Sequence, residues 1–178
     1  MIRLFAALAI PYDIAEHLTP RQSSLPGVRW RPAEAMHITL RFFGDMPENQ
    51  ADDLASELPR VVSPPLTLSL AGVGAFGEGA EIDAVWAGVE ENQALRTLAG
   101  RCEAAARRAG LKPDGRVYTP HVTLAYLRRP DPGAVAAWIQ ANNLLKSPAF
   151  TLTSFGLYSS RQTSEGSRYE VEQIYPLR

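Results

Sequence analysis

Short apolar stretches of strand character alternate along this chain with longer amphipathic stretches of helical period. IRLFAALAI (2–10) is a continuous apolar run stopped by Pro11 and predicts a buried strand. PYDIAEHLTPRQ follows, with proline near its first turn, and predicts a short helix. MHITLRFFG (36–44) predicts a strand closed by Gly44, and MPENQADDLASELPRVV a helix that stops near Pro59. PLTLSLAGVGAF (65–76) alternates and predicts a strand, as does EIDAVWAGVE (81–90). Residues 91–109 predict the longest helix, ended by Gly110. YTPHVTLAYL (118–127) predicts a strand, and PDPGAVAAWIQAN a helix with prolines in its first turn. FTLTSFGLYSS (150–160) and SRYEVEQIYPL (167–177) predict two strands around a polar turn.

The pattern contains a repeat. HITL at 37–40 returns as HVTL at 121–124, 84 positions later, and Thr67-Leu68 returns at the same offset as Thr151-Leu152. Each half reads strand, helix, His-Thr strand, helix, strand. Two copies of one supersecondary unit predict a bilobal α+β fold with a pseudo-two-fold axis. No Gly- or Ser-rich linker separates the halves, so residues 1–178 are read as one bilobal domain.

Strand alternation puts His37 and Thr39 on one face and Ile38 and Leu40 on the other; His121 and Thr123 stand likewise against Val122 and Leu124. Side chains two apart on a strand are roughly 6.5–7 Å apart, so an imidazole and a hydroxyl can reach one tetrahedral anion. If the lobes face each other, two of each converge. That constellation suits cleavage of a phosphodiester: one neutral imidazole accepts a proton from water, and one protonated imidazole donates to the departing oxygen. The hydroxyls can hydrogen-bond the non-bridging oxygens. The residues themselves leave open which histidine is acid and which is base.

Composition narrows the alternatives. Net charge is −1, which excludes a global basic field for long nucleic acid but leaves room for a small anion or an RNA end. A catalytic zinc takes three protein ligands. Only His17 and Cys102 could supplement the pair, and both fall on predicted helices, His17 as a surface residue and Cys102 as a small core residue. No metal or cofactor is therefore expected. The glycine cluster GAFGEGAE (74–81) is read as a turn; a phosphate-cradling loop is a weak reading there, since no Gly-Lys-Ser/Thr follows. One cysteine and no membrane-spanning apolar run predict a cytoplasmic protein without membrane partners, and a monomer is expected.

The residues also resemble a known family. HITL and HVTL look like the paired H-x-T-x motifs of the 2H phosphoesterase superfamily, closest to the RNA 2′,3′-cyclic phosphodiesterases long called 2′-5′ RNA ligases. RLFAAL (3–8), Trp30 ahead of the first motif, AVWAGV (84–89) and the C-terminal FGLYSSRQTSEGSRYEVEQIYPL extend the similarity over nearly the whole chain. The resemblance implies two antiparallel sheets flanking a central cleft, with helices outside and the four motif residues lining the cleft. It implies metal-independent hydrolysis of an RNA terminal 2′,3′-cyclic phosphate to a 2′-phosphomonoester, with His37 as proton donor and His121 as proton acceptor. RNA ends or small cyclic nucleotides would be the substrates. Ligation or cleavage of a 2′,5′ linkage at the same site, or RNA-end binding without catalysis, are the alternatives.

One departure stands out. The family often has arginine two residues after the second motif, where this chain has Tyr126, followed by Arg128 and Arg129. By strand parity Arg41 shares the face of His37 and Thr39 and is a candidate substitute, or else a solvated charge at a strand end. By the same parity Phe43 either stacks a nucleobase or enters the core.

Overall fold

The computed structural model describes residues 1–178. The first repeat contributes β1 (Ile2–Ala9), α1 (Tyr12–Leu18), β2 (Arg29–Trp30), β3 (His37–Met46), α2 (Glu48–Glu57), β4 (Leu66–Leu68) and β5 (Leu70–Phe76). The second contributes β6 (Ala84–Val89), α3 (Gln93–Arg108), β7 (His121–Tyr126), α4 (Pro132–Asn142), β8 (Phe150–Leu152) and β9 (Ser154–Thr163), with β10 (Gly166–Pro176) closing the chain. The predicted elements are all present. The strand expected over 65–76 is broken at Ser69, and that over 150–160 at Thr153, the equivalent position of the second repeat. In both cases the first three residues leave to form a separate ribbon, β4–β8.

All pairings are antiparallel, in the order β10-β9-β1-β3 for one lobe and β7-β6-β5 for the other, with β2 on β7. β3 and β7 meet at one pair, Ile38 opposite Val122. The ribbon is centred on Thr67 opposite Thr151, whose hydroxyls lie 2.9 Å apart. Both pairs join residues 84 apart, so both sit on the pseudo-two-fold axis. Strands are exchanged between the repeats: β9 of the second pairs with β1 of the first, and β5 of the first with β6 of the second.

Helices cover the face bearing Ile38, Leu40, Val122 and Leu124, all 3% exposed or less. α3 buries Leu95, Leu98, Cys102 and Ala106 there. Its start is fixed by Asn92, whose side chain accepts from Leu95 N–H at 3.0 Å. Its end is a glycine cap: Gly110 takes φ +85°, and the N–H groups of Gly110 and Leu111 return to Arg107 and Ala106. Burial pushes the Cys102 thiol up to about 12, consistent with a packing role. His17 is exposed in the last turn of α1. No helix is long and apolar enough to cross a membrane.

Candidate active site

The single β3–β7 pair determines the site. Ile38 and Val122 are fully buried on the helix side, so their neighbours His37, Thr39, His121 and Thr123 turn to the opposite face. In an antiparallel pair centred there, His37 lies beside Thr123 and Thr39 beside His121. All four are half-buried. The sequence pattern thus brings its four motif residues to one face at the junction of the lobes.

The two imidazoles are held alike. Nδ1–H of His37 donates to the Ala35 carbonyl at 2.9 Å, and Nδ1–H of His121 donates to the Thr119 carbonyl at 2.7 Å. Each bond fixes the ring and leaves Nε2 without a protein partner. Neither threonine hydroxyl bonds to the protein. Tyr118 Oη, by donating to the Thr39 carbonyl at 2.8 Å, ties the approach to β7 onto β3.

Their surroundings differ. His37 packs on Phe5 at 4.9 Å and meets the edge of Tyr169 at 5.2 Å. His121 meets Phe76 at 4.7 Å and Trp86 at 6.0 Å. Burial lowers the His37 pKa to about 4, reinforced by the nearby charges of Arg31 and His121 and opposed by the Ala35 hydrogen bond. Burial also lowers His121, opposed by the Thr119 bond. The unliganded site therefore carries two neutral imidazoles at neutral pH.

A cavity of about 660 Å³ opens beside His37 and Thr39. Arg3, Arg29, Arg31 and Arg128 line it, together with Phe5, Phe42, Tyr126 and Tyr169, and no carboxylate does. In a molecule of net charge −1 this is a concentrated positive patch. His121 and Thr123 are not part of its wall. No group of three or more His, Cys, Asp or Glu converges anywhere to hold a metal ion.

Arg41 and Phe43 do not follow the parity expected of them. In the β1–β3 register, Ala7 faces Thr39 but Ala6 faces Arg41, so Leu40 is an extra residue; a second shift leaves Phe43 extra. Each bulge reverses the alternation. Arg41 turns to the helix side, where it pairs with Glu103 and donates to the Lys112 carbonyl at 2.8 Å. Phe43 is 8% exposed and joins the core. Phe42 takes the cleft position instead, as the counterpart of Tyr126 in the second repeat. The sequence signal for this exchange was weak, since an Arg-Phe-Phe-Gly stretch fits either parity. The lining arginines come from three separate stretches, Arg3, the Arg29-Trp30-Arg31 segment and Arg128, and only the fold gathers them.

An antiparallel bilobal fold with paired His-x-Thr strands at its junction is the arrangement of 2H phosphoesterases. A sequence profile described as the 2′-5′ RNA ligase superfamily matches residues 10–163. An RNA 2′,3′-cyclic phosphodiesterase of Geobacillus stearothermophilus is 39% identical over 161 residues, which cover 87% of this chain and 49% of that protein. One from Archaeoglobus fulgidus is 28% identical over 177 residues, 98% of this chain and 99% of its own. Escherichia coli LigT crystallised with 3′-AMP superposes with a TM-score of 0.79 at 26% identity, over 99% of this chain and 98% of its own. The chain belongs to the 2′-5′ RNA ligase superfamily.

Proposed function

We propose that this protein hydrolyses terminal 2′,3′-cyclic phosphates of RNA, or small cyclic nucleotides, to 2′-phosphomonoesters, with His37 and His121 as acid and base and no metal in the step. The observation that carries this reading is the cavity beside His37, with its four arginines and no carboxylate. The names of the relatives supply the reaction class.

In the proposed step, water attacks phosphorus opposite O3′. His121 Nε2 accepts its proton, and His37 Nε2–H donates to O3′ as the P–O3′ bond breaks. The Thr39 and Thr123 hydroxyls donate to the non-bridging oxygens as charge grows there. The asymmetry of the site supports these roles. The nucleoside stays with the leaving oxygen and needs the large cavity, which lies at His37. The attacking water needs little room, and His121 is crowded by Phe76 and Trp86. The same crowding argues against a second ribose on that side, as ligation or cleavage of a 2′,5′ linkage would require. His37 is neutral in the free site, so the substrate's negative charge must raise its pKa before it can donate. The four motif residues come from one chain, which fits action as a monomer, and the single buried Cys102 fits a reducing cytoplasm.

The test is incubation of a short RNA ending in 2′,3′-cyclic phosphate, with EDTA present, followed by product identification. A 2′-phosphate is expected. A 3′-phosphate, or binding without turnover, would count against the reading.

A further inference from the structure

Arg31 is 6% exposed, and its guanidinium forms no ion pair with any carboxylate. Most other buried or half-buried arginines are matched: Arg41 by Glu103 and Arg3, within the same cavity, by Asp45. Arg29 and Arg128, the remaining cations of the cavity, are solvated. Arg31 alone is both desolvated and unpaired there. A buried cation without a counter-ion is costly, so its surroundings must be accounted for. The guanidinium carbon lies 5.6 Å from the ring centre of Tyr126 and 5.2 Å from that of Tyr169. One Nη donates to the Ser167 carbonyl at 3.2 Å, and the Arg31 N–H donates to Leu124 at 2.8 Å. These contacts orient the group but bring no negative charge. Burial pushes the Tyr169 phenol up to about 12, so it is not a phenolate counter-ion.

We infer that Arg31 is the principal anion-binding residue of the cleft, a preorganised guanidinium that receives the non-bridging oxygens of a phosphate ester beside His37. The placement fits, since Tyr169 touches both Arg31 and His37 and both residues line the same cavity. The chemistry fits as well: a planar guanidinium set over two tyrosine rings and tethered to the Ser167 carbonyl is oriented before the ligand arrives and can offer its remaining N–H donors to a phosphate. Arg31's charge also reaches His37, where it helps to hold the imidazole neutral. An arriving anion would neutralise that influence, so binding and protonation of His37 are coupled through one residue.

This inference rests on the cleft being a phosphate-ester site, and the test separates the two. Inorganic phosphate binding is measured by titration calorimetry for the wild type, Arg31→Met and Arg31→Lys, with circular dichroism as the folding control. Methionine keeps an apolar stem against the tyrosines. Arg31→Met should weaken phosphate binding roughly 10- to 100-fold, with the loss in KM exceeding that in kcat, and Arg31→Lys should recover part of it. In the same variant the His37 ring should titrate at higher pH by NMR. If the methionine variant does not fold, the Arg31 Nε–H resonance of the wild type, assigned by its loss in Arg31→Lys, must shift on phosphate addition. Unchanged affinity in a folded Arg31→Met, or an unmoved Arg31 resonance, would overturn the inference alone. A wild type that binds neither phosphate nor cyclic phosphate would overturn the reading of the cleft, and the inference with it.

Discussion

Ile38 lies opposite Val122 at the one point where β3 and β7 pair, on the axis that relates the two repeats. Because both are buried, the flanking histidines and threonines have no choice but to share the other face. The proposed mechanism uses this pairing as a unit. Replacing His37 or His121 by alanine should therefore each lower kcat on a 2′,3′-cyclic nucleotide by about 10²- to 10⁴-fold, and the double variant should be little worse. A single variant that keeps a tenth of the wild-type rate would sink the pair.

The depressed histidines make pH informative. With both lowered in the free site, the bell of kcat/KM should centre below about pH 6.5, and that of kcat, with anion bound, should move to higher pH. Phosphate binding near neutral pH should take up protons, detectable as a dependence of the calorimetric heat on the buffer's ionisation enthalpy. Stability follows the same linkage. The unfolded chain protonates His37 near pH 6.5 and the folded chain only near 4, so the unfolded state holds more protons between them. The contribution is fully present above about pH 6.5 and is lost as pH falls toward 4. His37→Ala should flatten the fall of Tm over that window.

The threonine hydroxyls bond to nothing else in the protein, so their removal should affect the reaction more than the fold. Thr39→Val and Thr123→Val are expected to lower kcat by roughly 10- to 1000-fold, with small changes in denaturation midpoint. A loss confined to stability would contradict the assigned role.

Arg41, ion-paired with Glu103 on the helix side with its side chain only 9% exposed, should behave in the opposite way. Arg41→Gln is expected to cost about 2 kcal/mol or more in urea denaturation, with kcat and KM unchanged. A selective rise in KM would restore it to the cleft.

Gly74 supports the ring of Trp86, and a Cβ there would overlap it. Trp86 in turn stands 6.0 Å from His121. Gly74→Ala should destabilise the fold by about 1–3 kcal/mol and lower kcat in the fraction that remains folded, measured below the melting range. Full activity would separate Trp86 from the positioning of His121.

Most of the architecture was legible because the repeat reports itself twice. The offset of 84 marks both His-x-Thr strands and relates Thr67 to Thr151, but the ribbon in which those two threonines meet is not in the pattern, which predicts unbroken strands there. What failed was parity beyond Leu40, because a bulge is a one-residue event that leaves no hydrophobic signature. The arginine cluster was illegible for another reason. Arg3, Arg29 and Arg31 are drawn together by sheet pairings that span much of the chain, and no local pattern encodes such distances.

The exchange of β5 and β9 between the repeats has a consequence for folding. Neither repeat can complete its own sheet: β1 waits for a strand made about 150 residues later, and β6 needs the strand just before it from the other unit. The cavity wall draws on the same late hairpin, through Ser160, Gln162 and Tyr169. A nascent chain stopped halfway would present unsatisfied strand edges and no arginine-lined cavity, and ordered assembly must wait for the last third of synthesis. Loss of either exchanged strand should melt both lobes together, giving one cooperative transition for the whole molecule.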